Sequence, residues 1–121
     1  MGKYKLINNV LGWVVFLIAS TVYLMTMEPT ASFWDCGEFI SSAYKLEVGH
    51  PPGAPFFMLT ANLFTQFASD PSKVAVMVNT MSALFSGLTI LFLFWSITHL
   101  VRKLIITDEN NITKGQLITI I

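Results

Sequence analysis

Three long apolar stretches follow one another along this chain, and polar segments separate them. A helix over the first stretch, residues 10–27, would reach ~27 Å, close to the ~30 Å hydrocarbon core of a bilayer. The stretches over residues 51–68 and 74–101 are also long enough to cross it. We therefore predict three transmembrane helices. A fourth apolar run opens at residue 117, so we expect residues 1–121 to be the N-terminal part of one larger transmembrane domain.

The composition agrees with this pattern. Apolar residues make up 54% of the chain and charged residues 12%, whereas soluble domains carry roughly 25% charged residues. A chain of this size could not bury so much apolar surface in a soluble core, which indicates an all-α integral membrane protein in contact with the lipid bilayer. The formal net charge is +0 and no basic cluster is present, so no nucleic acid is expected as a partner. The one cysteine, Cys36, excludes an internal disulfide.

The connection over residues 28–50 is polar but contains a short amphipathic pattern. Apolar side chains recur at helical spacing between residues 33 and 46, which predicts an interfacial helix there. Ser32 can cap this helix, and Asp35 would lie in its first turn, where the helix dipole favours a carboxylate.

Basic residues suggest an orientation. Lys3 and Lys5 favour a cytoplasmic N-terminus, which puts the 28–55 loop on the outer side, periplasmic in a bacterial inner membrane. With three spans, the 69–73 turn is then cytoplasmic and Arg102 lies outside, against the positive-inside rule.

Asp35 and Glu38 are the first candidates for chemistry. They are three positions apart, which on a helix places their Cβ atoms ~5–6 Å from each other. The two carboxylates could bind a divalent cation, or one could be a general base tuned by the other, or both could be solvated polar positions. The sequence leaves these three roles open.

A histidine next to two prolines is the second candidate. His50 precedes Pro51 and Pro52, so its backbone is stiff and extended. It could donate a hydrogen bond to an anionic substrate group, or it could be an ordinary interfacial histidine. Trp34 could stack on a sugar or a lipid headgroup, or serve as an interfacial aromatic residue.

These residues carry a resemblance to a known family. Trp-Asp-Cys-Gly-Glu at 34–38 followed by Gly-His-Pro-Pro-Gly at 49–53 is similar to the N-terminal signature of glycosyltransferase family 117. This is a bacterial multi-pass family, long labelled a domain of unknown function, with a vertebrate relative that is a transmembrane O-mannosyltransferase. More distantly the chain resembles protein O-mannosyltransferases with the C-type fold. Their adjacent Asp-Glu pair is not present, because Cys36 follows Asp35.

The resemblance implies a fold, an activity and a site. The fold would be the N-terminal part of a C-type glycosyltransferase. The activity would be transfer of a sugar from a polyprenyl-phosphate donor to a protein hydroxyl or another outer-face acceptor. By carry-over, Asp35 would be the catalytic base, Glu38 would orient the acceptor or assist a cation, and His50 would lie near the donor phosphate. Trp34, Pro51 and Pro52 complete the substrate-binding set, and residues 1–121 alone are expected to be inactive.

Two other functions remain open at this level. A transporter would use Asp35, Glu38 and His50 to bind a proton or an ion, and would carry ionisable residues deep inside its spans. Only His99, near a helix end, comes close to that description. An assembly or scaffold protein would use the loop to bind partners without any catalysis.

Overall fold

A computed structural model describes residues 2–51, 53–106 and 113–120. Five α-helices and no strand are found within these ranges. The α-helices are α1 (Gly2–Thr26), α2 (Cys36–Lys45), α3 (Pro55–Thr65), α4 (Val74–Ile105) and α5 (Lys114–Ile120). A single 3₁₀ turn at Pro71–Lys73 leads into α4. The predicted all-α class is confirmed.

Helices α1 and α4 are each long and apolar enough to cross a membrane. The apolar segments are Tyr4–Thr26 and Pro71–Ile105. The most apolar window of the first segment is only 11% buried, and that of the second segment is 17% buried. The central helix of a soluble protein would bury most of such a window. These side chains need an apolar environment outside the described residues, and a bilayer supplies one.

Contacts divide the chain into two compact units, Met1–Val22 with Ser86–Ile121, called here the helix-pair unit, and Tyr23–Phe85, called the loop unit. The helix-pair unit contains the first part of α1 and the second part of α4.

The two helices run antiparallel in the helix-pair unit. The Tyr4 hydroxyl donates to the Thr98 carbonyl over 3.4 Å. The rings of Trp13 and Trp95 meet edge to face, with centroids 6.1 Å apart. Further along α1, the Ser20 side chain lies against Gly87. In these contacts, the residue number increases along α1 while it decreases along α4.

Helices α2, α3 and the start of α4 form the core of the loop unit. Its buried residues are Ala43, Met58, Ala61, Val78 and Met81. Phe39 and Phe57 pack at the edge of this cluster, with ring centroids 5.5 Å apart. The stripe of apolar residues that predicts an amphipathic α2 is thus used mainly against α3 and α4.

Helix α2 begins at Cys36, three residues later than the predicted start at residue 33. The reason is Trp34, whose φ of 69° is left-handed and cannot continue a right-handed helix. Asp35 is therefore the N-cap residue and does not lie in the first turn. Ser32, the predicted cap, instead donates its hydroxyl to the Cys36 sulfur over 3.1 Å.

Helix α3 is shorter than the predicted span over residues 51–68. Its 11 residues reach ~16 Å, about half of the hydrocarbon thickness. A turn precedes it, since the Gly53 amide donates to the His50 carbonyl over 2.9 Å. Its last residues tighten into turns in which the Phe67 amide donates to the Phe64 carbonyl over 3.1 Å. The structure therefore confirms two candidate spans and does not confirm the predicted third.

Candidate functional site

Asp35 stands at the junction between a strained residue and a helix. Trp34 before it is left-handed and 92% exposed, a conformation that costs a bulky residue energy and that concentrates at functional sites. Asp35 accepts the Phe39 amide through its main-chain carbonyl over 3.0 Å. Its side chain makes no capping hydrogen bond. The carboxylate is thus not used to begin the helix on which it sits.

Glu38 and His50 are brought together by the fold. The backbone N–H of His50 donates to Glu38 Oε1 over 2.8 Å, and His50 Nδ1 lies 2.9 Å from Glu38 Oε2. Gly49 permits this approach, since a Cβ there would lie only 3.3 Å from Glu38 Oε1. One side chain on α2 therefore holds both the ring and the main chain of a residue in the turn before α3.

The pair shifts the pKa of both partners. The His50 amide, followed by the His50 ring, stabilises the carboxylate and lowers the pKa of Glu38 from its ordinary 4.5. The hydrogen bond from Glu38, followed by its negative charge, raises the pKa of His50 from its ordinary 6.5. Both groups are thus charged together from below pH 4.5 to above pH 6.5. The charged pair favours the folded loop in this window, and that contribution is lost beyond either end.

Asp35 and Glu38 therefore have different surroundings, although the sequence grouped them. Glu38 is engaged through both oxygens, and Asp35 is not. Among the described residues, no group of three His, Cys, Asp or Glu side chains could hold a metal ion. A divalent cation bound by Asp35 and Glu38 remains a prediction.

A cavity of about 300 Å³ adjoins Asp35. Its walls are mostly apolar and come from α2, α3 and α4. The lining residues are Trp34, Asp35, Cys36, Phe39, Ile40, Phe57, Val78, Asn79 and Ser82. Trp34 and Asp35 border it, so the exposed indole and the carboxylate face one space. Pro51 is exposed and does not line this cavity, and Pro52 lies outside the described residues.

Two asparagines in apolar helices hold segments of the loop by hydrogen bonds to its main chain. Asn62 on α3 donates to the carbonyls of Ala43 and Tyr44 over 2.9 and 3.1 Å, at the C-terminal end of α2. Asn79 on α4 donates to the carbonyls of Glu28 and Thr30 over 2.7 and 3.1 Å. Their presence in apolar helices was the only sequence signal. Asn62 satisfies carbonyls that a helix leaves open at its C-terminal end, and Asn79 satisfies carbonyls of the connection that follows α1.

Removal of the Asn62 amide is expected to loosen α2. Asn62→Ala removes the donor that the Ala43 and Tyr44 carbonyls share, a loss of about 0.5–1.5 kcal/mol for a typical hydrogen bond. Hydrogen exchange of residues 36–47 in the complete protein should become faster. Gln66→Ala is the matched control, because among the described residues the Gln66 amide donates to the Asn62 carbonyl alone, over a longer 3.4 Å. Equal exchange in the two variants would contradict this role for Asn62.

Two long apolar helices define the class, a helical membrane protein. The polar loop that carries Asp35, Glu38 and His50 is its candidate site. The chain belongs to the family described as Protein O-mannosyl-transferase TMEM260 N-terminal domain, whose model matches residues 35–121. The match includes Asp35, Glu38 and His50 and begins directly after Trp34. The O-mannosyltransferase-like family predicted from the sequence is confirmed.

Two curated relatives are similar to most of this chain. Protein O-mannosyl-transferase TMEM260 of Mus musculus is 36% identical over 87 residues, which are 71% of this chain and 12% of that protein. Protein O-mannosyl-transferase tmem260 of Dictyostelium discoideum is 29% identical over 85 residues, which are 69% of this chain and 10% of that protein. The chain thus spans about a tenth of the length of these relatives. No solved structure matches it.

Proposed function

We propose that the complete protein is a membrane glycosyltransferase that moves a sugar, mannose by analogy with its relatives, from a polyprenyl-phosphate donor to a hydroxyl of a protein acceptor. The observation that carries this is an Asp35 carboxylate that borders a cavity and caps nothing, in a chain of the TMEM260 family. Both relatives bear the name protein O-mannosyl-transferase.

Asp35 acts as the general base in this proposal. The acceptor hydroxyl gives its proton to the Asp35 carboxylate while its oxygen attacks the anomeric carbon of the sugar. A new C–O bond forms, the bond from that carbon to the phosphate oxygen breaks, and polyprenyl phosphate leaves with the electron pair. A positioned carboxylate suits this role, because a hydroxyl is a poor nucleophile until its proton is removed.

Finer assignments follow from the sequence resemblance. We also propose that the chain belongs to glycosyltransferase family 117 and that its transmembrane domain has the C-type fold. The motifs at 34–38 and 49–53 support this assignment. The relatives come from a mouse and a slime mould. A bacterial inner membrane therefore stays a prediction.

The first test is direct transfer. Membranes that contain the complete protein are given radiolabelled polyprenyl-phosphate mannose and a hydroxyl-bearing protein acceptor, with membranes lacking the protein as the control. Label in the acceptor supports the proposal. Parallel reactions with other polyprenyl-phosphate sugars identify the sugar. No transfer from any donor would contradict the proposal and would favour the transporter or scaffold readings.

A two-span topology is part of the proposal. Antiparallel contacts put Tyr4 near Thr98 in the helix-pair unit, and in the loop unit Asn79 bonds the carbonyl of Glu28. If α1 and α4 are the spans, the connection between them begins and ends on one side of the membrane. Lys5, at the other end of α1, then shares a side with the basic end of α4, in agreement with the positive-inside rule. The conflict that three spans create at Arg102 disappears.

Cysteine labelling distinguishes the two topologies. In the complete protein with other cysteines replaced, an impermeant maleimide should reach Cys36 and Ser72→Cys from one side and Thr113→Cys only from the other. Three spans predict the reverse for the introduced cysteines, with Thr113→Cys on the side of Cys36 and Ser72→Cys opposite. The native thiol is a suitable internal reference because Cys36 is exposed.

A further inference from the structure

Glu38 makes two hydrogen bonds to one residue twelve positions away. One oxygen accepts the main-chain amide of His50, and the other lies against the ring nitrogen Nδ1. The ring of Phe39 meets the imidazole edge to face, with centroids 6.3 Å apart and planes at 85°. Main chain, ring plane and one ring nitrogen are therefore all fixed, although the His50 side chain is 49% exposed.

This arrangement leaves the second ring nitrogen for another partner. Nε2 of His50 has no hydrogen bond to any described residue, and the carboxylate on Nδ1 favours the doubly protonated ring. In that form Nε2 carries a hydrogen and the ring is positive. A fixed, exposed, positive N–H donor suits an anion, with a hydrogen bond strengthened by the charges on both sides.

Glu38 itself is poorly placed for proton transfer. An oxygen that removes a proton from a hydroxyl must accept a hydrogen bond from it. His50 occupies one acceptor position on each Glu38 oxygen. These hydrogen bonds and the charge of His50 also lower the pKa of Glu38, which makes the carboxylate a weaker base. The side chain of Asp35, three residues earlier, makes no capping hydrogen bond.

We propose that Glu38 is a positioning residue that holds His50, so that His50 presents Nε2–H to the phosphate of the lipid-linked donor. The inference rests on the proposed function, which supplies a phosphate as the anionic group of the substrate. Asp35 then acts on the acceptor hydroxyl, and His50 binds the leaving phosphate. Glu38 acts only through His50.

The pH dependence of donor binding separates this role from a structural one. The charged groups that act on His50 are Glu38 and Asp35, and both favour the positive ring. Donor affinity should fall as pH rises through the pKa of His50. Glu38→Gln removes the larger of the two influences, so the fall should begin at a lower pH than in the wild type.

The test measures kcat and the donor KM of the complete protein across pH, for Glu38→Gln, His50→Gln and the double variant. Each single change should raise the donor KM roughly 10- to 100-fold, as expected for a lost hydrogen bond to a charged group. The double variant should be no worse than His50→Gln, because Glu38 acts through His50. Gly49→Ala, which crowds Glu38 Oε1, should move the donor KM the same way, whereas Gly37→Ala meets nothing within 4 Å and should not.

Three results would overturn the proposal. One is a loss of kcat in Glu38→Gln at unchanged donor KM, which would make Glu38 a catalytic acid or base. Another is additive damage in the double variant. The third is an alkaline limb that stays in place when Glu38 is replaced.

Binding of the lipid without transfer keeps this inference separate from the proposed function. Polyprenyl phosphate, uncharged polyprenol and phosphatidic acid are titrated against the complete protein in detergent, below the pKa of His50. Preference for polyprenyl phosphate that Glu38→Gln and His50→Gln both lose supports the proposal, even if no sugar is transferred. Equal binding of polyprenol or phosphatidic acid, or a preference that both variants keep, overturns it even if transfer occurs.

Discussion

Asp35→Asn in the complete protein is expected to lower the rate of sugar transfer by ~10²–10⁴-fold, the usual contribution of a positioned general base. Asn has nearly the same shape but cannot take the proton of an acceptor hydroxyl. Asn is also as good as Asp at a helix N-cap, and the Asp35 side chain makes no capping bond in any case. The loss should therefore appear in kcat. The stability of the protein should be unchanged, and so should the donor affinity when it is measured at a pH where His50 stays protonated, because the charge of Asp35 also raises the pKa of His50.

Glu47→Gln is the matched control. Glu47 is another exposed carboxylate of the same loop, and it borders a different cavity from Asp35. It should transfer sugar at the wild-type rate when both variants are compared at equal expression. Transfer by Asp35→Asn at the level of Glu47→Gln would remove Asp35 from the chemistry. The same outcome would leave the Glu38–His50 pair, which is tested by donor binding, unaffected.

Gly12→Val is expected to destabilise the protein by about 1–3 kcal/mol, the usual cost of overfilling a packed interface. A Cβ at Gly12 would overlap Nε1 of Trp95 and lie 3.1 Å from Leu91 Cδ1. The indole is held by ring contacts to Trp13 and Phe92, with centroids 6.1 and 6.0 Å away, so it cannot move aside without disturbing them. The close approach of α1 and α4 thus depends on a residue without a side chain.

Thermal unfolding of the purified protein in detergent measures this effect. Gly115→Val serves as the control, because Gly115 lies in α5 and an added Cβ there meets nothing within 4 Å. Both changes replace a helical glycine by the same, better helix former, so a loss of stability found only at Gly12 reports on the contact between α1 and α4. Equal melting temperatures would contradict the antiparallel packing described here, and with it the two-span topology.

Much of the helical content could be predicted from local patterns. Long apolar runs predict α1 and α4, and apolar spacing around Phe39 predicts an amphipathic α2, because both depend on residues only a few positions apart. Errors arose at boundaries. The left-handed Trp34 delays α2, and no residue type in the sequence marks a tryptophan for that conformation. The run at residues 51–68 looks the same to a hydropathy count whether it crosses a membrane or packs against a neighbour.

The sequence by itself determined the class of the protein, its family and the identity of Asp35, Glu38 and His50 as candidates. Composition, helical periodicity and short motifs can be read from the sequence without knowledge of the fold. Only the tertiary structure decided which candidates meet. Glu38 turned towards His50, twelve positions away, and Asn79 reached Glu28 across 51 positions. Such partners depend on how α2, α3 and α4 pack their apolar faces together, and packing is a property of all three helices at once.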